Sequence, residues 1–240
     1  MNQPATRDRL IVALDVSRAA EARRIVDALG DSVSTFKVGK QLFTAEGPQV
    51  VRDLVSAGRR IFLDLKYHDI PNTVGAAVRE AAALGVSMLT VHASGGEKML
   101  RAAAEAAAKS EAKPLVLAVT VLTSLDQADL EETGVIGDMS IQVLRLATLA
   151  RRAGCGGIVT SARETAFVRQ RMSDLAILVP GVRPAGSDAG DQARIATPAE
   201  AIQAGATFVV VGRPITAAAD PVKAAHQILA EIEEATKMLV

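Results

Sequence analysis

The sequence predicts an α/β protein folded as a single (β/α)8 TIM barrel. Three observations predict it. Short β-rich runs alternate with helical stretches, the runs number eight, and they span the 240 residues without a linker or low-complexity tract. Residues 1–240 are therefore expected to form one barrel domain.

The first run, Leu10–Asp15 (LIVALD), is apolar up to its last residue. It leads into Val16-Ser17 and not into a glycine-rich dinucleotide fingerprint, which weighs against the competing open, doubly wound sheet. A helical stretch at Ala19–Leu29 separates it from the second run, Thr35–Gly39 (TFKVG). Gln49–Ala57 then leads to Arg60–Lys66 (RIFLDLK), and Thr73–Leu84 to Met88–His92 (MLTVH). Glu97–Ala108 leads to Leu115–Leu122 (LVLAVTVL), and Ile141–Ala153 to Gly157–Ser161 (GIVTS). Ala176–Pro180 (AILVP) and Thr207–Gly212 (TFVVVG) complete the strands, with a last helix at Pro221–Ala235. Most of the runs are nearly continuous in apolar residues, as strands covered on both faces are. Gly58, Gly85, Gly154 and Gly205 sit just past helical stretches, where a left-handed residue ends a helix, and each precedes a strand by a few residues.

Composition narrows the function. Lys plus Arg equals Asp plus Glu at 27 each, so the basic excess that a nucleic-acid binder needs is missing. A small anionic ligand needs only a few well-placed cations and stays open. One Tyr, five Phe and no Trp argue against single-strand nucleic-acid platforms and sugar-stacking grooves. Cys155 is the single cysteine, which leaves no intrachain disulfide and makes a thiolate metal cluster a poor fit. Met1 to Arg9 is polar and unlike a signal peptide, and the apolar runs are of strand length. The expectation is a cytoplasmic protein with no membrane partner and no nucleic-acid partner.

In such a barrel the chemistry sits where the strands run out at their C-terminal ends. Polar residues collect there. Asp15 ends the first strand, Lys37 lies near the end of the second, and Asp64 and Lys66 end the third. His92 ends the fourth, Thr120 and Thr123 the fifth, and Gly212-Arg213 the eighth. Any one of these reads as a cap or a surface charge, but their accumulation at one rim does not.

The third strand is the most informative. Ile61, Leu63 and Leu65 alternate with Phe62, Asp64 and Lys66, which puts the carboxylate and the ammonium side by side facing the barrel interior. Asp69 follows three residues after Lys66. Desolvating such charges costs several kcal/mol, about the scale that only pairing offsets. A structural ion pair is one reading; two acids and two bases, counting Lys37, fit a preorganised electrostatic site better.

Val211-Gly212-Arg213-Pro214 reads either as an ordinary turn or as a place where the backbone approaches a ligand and a bidentate cation suits phosphate, which barrels often hold at their last loops. The glycine-rich stretch from Gly181 through Arg183 to Gln192 reads as a lid over a phosphorylated ligand or as a plain surface loop; its Arg and Gln favour the lid. His68 reads as structural, His226 as a helix-surface residue, and Cys155 as an inert residue at the opposite rim. His92 has no second ligand at metal spacing, and Ser161 has no base in view.

The segment Asp64-Leu65-Lys66-Tyr67-His68-Asp69-Ile70-Pro71-Asn72-Thr73 resembles the Asp-x-Lys-x-x-Asp-Ile-Pro-Asn-Thr motif of bacterial orotidine 5'-phosphate decarboxylases. Ala13-Leu14-Asp15, Phe36-Lys37-Val38-Gly39, Val121-Leu122-Thr123-Ser124, Pro180-Gly181-Val182-Arg183-Pro184 through Gln192, and Val211-Gly212-Arg213 match in the same order. The resemblance covers essentially the whole chain, without departure at a position the family uses. It implies the last step of pyrimidine nucleotide synthesis, orotidine 5'-phosphate to UMP and CO2, with no metal and no other cofactor. Lys66 would protonate C6 as CO2 leaves, and Asp64 would face the substrate carboxylate. Lys37 and Asp15 would hold the ribose, with Lys37 also in the charged network. Asp69 and Thr73 would serve the neighbouring site of a homodimer. Thr123 and Ser124 would lie near base and ribose. Arg183, Gln192, Gly212 and Arg213 would belong to the phosphate grip and its lid, and Pro180 would be a further substrate contact.

Two alternatives stay open at this point. A sibling barrel that uses Mg2+ to decarboxylate or condense sugar phosphates shares the Asp-x-Lys-x-x-Asp core. A non-catalytic phosphate-binding barrel would need the grip but not Asp64, Lys66 and Asp69.

Overall fold

The computed structural model describes residues 4–184 and 196–239. Eight strands form: β1 (Leu10–Ala13), β2 (Thr35–Gly39), β3 (Arg60–Tyr67), β4 (Met88–His92), β5 (Leu115–Val119), β6 (Gly157–Val159), β7 (Ala176–Val179) and β8 (Phe208–Val211). Each pairs in parallel with the next, and β8 pairs with β1 through Val12 and Val211, which closes the barrel. The fold is the (β/α)8 barrel that the alternation predicts.

The strand pattern follows from burial on both sides. Ile11, Phe62, Met88, Leu117, Leu178 and Phe208 fill the barrel interior. Their neighbours in sequence, among them Leu10, Val12, Ile61, Leu63, Leu89 and Val209, pack outward against the helices. Neither face meets water, so the strands carry apolar residues in succession. Helices at Ala19–Leu29, Gln49–Ser56, Pro71–Ala83, Gly96–Lys109, Met139–Arg152 and Pro221–Lys237 cover that outer face. Gly58, Gly85, Gly154 and Gly205 take φ of 78, 80, 86 and 100° and turn the chain from helix to strand.

Several boundaries move. β1 ends at Ala13 and not Asp15, β5 at Val119 and not Leu122, β6 at Val159 and not Ser161, and β7 at Val179 and not Pro180. The residues beyond leave the ladder for the loops of the mouth. Ser161 caps the helix Ala162–Arg169 by accepting from the Arg163 N–H, and Pro180 has no N–H to give a neighbouring strand. That helix and the short ones at Lys40–Glu46, Gln127–Glu132 and Pro198–Gln203 are additions to the six read from sequence.

The opposite end of the barrel is built for stability. Arg9, 3% exposed, donates to the carbonyls of Ala206 (2.7 Å) and Thr207 (3.3 Å) and to the Thr236 hydroxyl (2.7 Å). It ties β1 to the approach to β8 and to the last helix. Cys155, just before β6, is buried, and burial pushes its thiol up to about 12, so it stays protonated.

Candidate active site

The site begins with an irregularity in β3. Leu63 pairs with Leu89 and Tyr67 with Val91, so four steps on β3 span two on β4. An even number of extra residues preserves the alternation of faces. Leu65 and Tyr67 pack against the outer core, while Asp64 and Lys66 line a cavity at the C-terminal mouth. Lys66 takes the left-handed conformation, φ 53°. That conformation costs a side-chain-bearing residue about 1–2 kcal/mol and has to be held by its surroundings.

Those surroundings are charged and ordered. The Lys66 ammonium donates to both Asp64 oxygens at 2.9 Å. The Lys37 ammonium lies 3.9 Å from Asp64 Oδ2 and donates to Asp15 Oδ1 at 2.7 Å. Acid and base thus alternate along Asp15, Lys37, Asp64 and Lys66, one from β2, two from β3 and one just past β1. The Asp64 and Lys37 side chains are only 13% and 12% exposed, so each depends on its opposite charge in a setting poor in water. Gly39 makes room for the array: a Cβ there would stand 2.8 Å from Lys37 Nζ and 3.3 Å from Asp15 Oδ1.

Sequence reasoning passes over Thr90 on β4. Its side chain is fully buried; it accepts from the Lys66 backbone N–H at 2.9 Å and donates to Asp64 Oδ1 at 3.0 Å. A threonine in MLTVH looks like an ordinary strand former, and only the skipped pairing of β3 gives it a task. Two residues on, His92 is half-buried, its ring centroid 5.4 Å from that of His68. Burial first, then the neighbouring His68, Lys66 and Lys40, push the His92 pKa below its ordinary value, against an opposing pull from Asp64.

The cavity has a volume of about 530 Å³. Asp15, Lys37, Asp64, Lys66, Thr123, Pro180, Arg183, Gly212 and Arg213 all line it. Asp69, Thr73 and Ser124 do not; each is exposed on this chain. The Asp69 carboxylate accepts from the Ile70 N–H at 2.6 Å, and Ile70 itself is 66% exposed. Gln192 and most of the predicted lid lie outside the described residues. A nucleotide-sized pocket with a charged floor and two arginines in its rim can hold a small anion at one place and stabilise developing charge at another.

The model of the orotidine 5'-phosphate decarboxylase / HUMPS family matches residues 8–228. The chain belongs to that family. It is 53% identical to the orotidine 5'-phosphate decarboxylase of Moorella thermoacetica over 95% of this chain and 93% of that one. The enzyme of the same name from Halorhodospira halophila is 55% identical, with 95% and 97% covered. The crystal structure of the Lactobacillus acidophilus orotidine 5'-phosphate decarboxylase superposes with a TM-score of 0.83 at 38% identity, covering 94% and 99% of the two chains. Both of these curated relatives carry the nucleotide decarboxylase name. Among the described residues no helix is long and apolar enough to cross a membrane.

Proposed function

We propose that this barrel decarboxylates orotidine 5'-phosphate to UMP and CO2, as the relatives it matches are named for doing. The observation that carries the reading is the Asp64–Lys66 pair, fixed at 2.9 Å on the floor of a pocket rimmed by Arg183 and Arg213. Whole-chain similarity to decarboxylases of that name supports the same conclusion.

The chemistry asks for what this array offers. Breaking the C6–carboxylate bond leaves an electron pair on a ring carbon that cannot delocalise it well. A preorganised ammonium stabilises that developing charge, and the Lys66 ammonium then gives its proton to C6 to form UMP. The neutral amine left behind regains a proton from solvent. Asp64 faces the substrate carboxylate and is relieved as CO2 departs, a contribution secondary to the fixed cation. Asp15 and Lys37 hold the ribose, with Thr123 at the base and ribose and Ser124 beside it. Arg183, Gly212 and Arg213, with Gln192, take the phosphate, whose binding far from C6 is spent on the chemical step, and Pro180 contacts the substrate at the cavity wall.

One part of the proposal reaches beyond a single chain. Asp69 and Thr73 act in the site of a second copy, which accounts for two polar residues of the decarboxylase motif standing exposed beside Ile70. The whole chain works as one barrel domain, in the cytoplasm, with a small nucleotide as its partner. Against a Mg2+-dependent sugar-phosphate reaction, the Asp64 oxygens are already engaged by two ammonium groups.

The test follows orotidine monophosphate absorbance with purified protein in EDTA and identifies the product. UMP formation indifferent to the chelator is expected. No UMP, or activity abolished by EDTA and restored by Mg2+, contradicts the reading.

A further inference from the structure

We infer that Thr90 is a positioning residue for the decarboxylation, acting through Lys66 and Asp64 without touching the nucleotide. The inference rests on the reading above and adds a residue to it. Thr90 is fully buried, lies behind the cavity wall and does not line the cavity.

The register of the barrel creates the need for it. Between the pairs Leu63–Leu89 and Tyr67–Val91, β3 carries two residues more than β4. The Lys66 N–H falls in that irregular stretch, and the Thr90 hydroxyl receives it at 2.9 Å. A buried N–H left unmet costs about as much as a lost hydrogen bond, so the hydroxyl stabilises a backbone that already sits at φ 53°.

The same hydroxyl has one proton to give, and it gives it to Asp64 Oδ1 at 3.0 Å. Asp64 in turn accepts from the Lys66 ammonium. The bonds close a ring: Lys66 backbone to Thr90, Thr90 to Asp64, Asp64 to the Lys66 side chain. Both ends of one lysine are held through a single threonine. Removing the hydroxyl frees the backbone end and takes a donor from the carboxylate that aims the ammonium. A misaimed acid costs rate steeply while leaving distant ribose and phosphate contacts in place.

Valine keeps the shape and β propensity of threonine and lacks the hydroxyl; serine keeps the hydroxyl. Thr90→Val and Thr90→Ser are compared with the wild type for kcat and KM on orotidine monophosphate and for Kd of UMP. Thr90→Val is expected to lose about 10- to 100-fold in kcat, with UMP affinity and KM within about threefold, as for loss of hydrogen bonds to a charged group. Thr90→Ser is expected to stay within about threefold throughout. Retained UMP binding shows that the Thr90→Val barrel is folded.

A Thr90→Val kcat within about threefold of wild type overturns the inference, since lost bonds of this kind cost more. So does a Thr90→Ser loss equal to that of valine, since serine keeps the hydroxyl and the effect would then belong to packing at this position. Loss of UMP binding together with turnover overturns it as well, because the threonine would then be a packing residue. A wild type inert toward orotidine monophosphate would instead sink the functional reading, and this inference with it.

Discussion

The Lys66 ammonium lies 2.9 Å from each carboxylate oxygen of Asp64, two residues earlier on the same strand. A regular strand puts residues i and i+2 on one face but does not by itself fold one side chain back onto the other. Here the left-handed backbone of Lys66 and the double insertion in β3 bring the head group onto its neighbour. The Lys66 ammonium is thereby held at the mouth by its own strand, which is the condition for electrostatic preorganisation.

Mixing subunits tests whether sites are shared. Lys66→Ala and Asp69→Ala chains, each inactive alone, are expected to regain roughly a quarter of wild-type activity when unfolded together and refolded at equal amounts. Half of randomly formed dimers are then mixed, and each mixed dimer has one intact site. No recovery in mixtures shown to contain heterodimer would place Asp69 in its own chain's site.

The phosphate grip predicts a split between substrates. Arg213→Ala should raise KM for orotidine monophosphate by about 10- to 100-fold through loss of charge-assisted bonds. Turnover of orotidine, which lacks the phosphate, should be unchanged. An equal loss on both would move Arg213 out of the grip and into general support of the fold.

His92 predicts a pH dependence of stability. Its pKa is below the ordinary 6.5 in the fold, chiefly from burial, so protonation favours the unfolded chain. The stabilisation from a neutral His92 is complete above about pH 6.5 and is lost as pH falls from there towards the lowered folded value. Denaturant midpoints measured from pH 7.5 to 5.5 should fall less for His92→Gln than for the wild type. Identical slopes would show that the imidazole is not held neutral by the fold.

Much of this was legible in the residues themselves. The apolar runs at Ile11, Val12, Leu89 and Val209 announce strands covered on two faces, and Gly154 and Gly205 mark their entrances. The side-by-side placement of Asp64 and Lys66 follows from alternation. What alternation cannot supply is the insertion within β3, because lysine carries no local signal for a left-handed backbone and pairing depends on a distant strand. Thr90 was hidden for the same reason. Asp69, Thr73 and Ser124 look like site residues in the motifs yet stand outside the cavity, since a linear motif does not fix where the loop after a strand carries its side chains.

The most direct test of the central claim measures single-turnover UMP formation from orotidine monophosphate by the wild type and by Lys66→Ala, with binding followed in parallel. The account predicts that the variant still binds UMP but converts substrate at least about 10³-fold more slowly, the scale of a lost general acid together with its stabilising charge. Conversion by Lys66→Ala at the wild-type rate would contradict it.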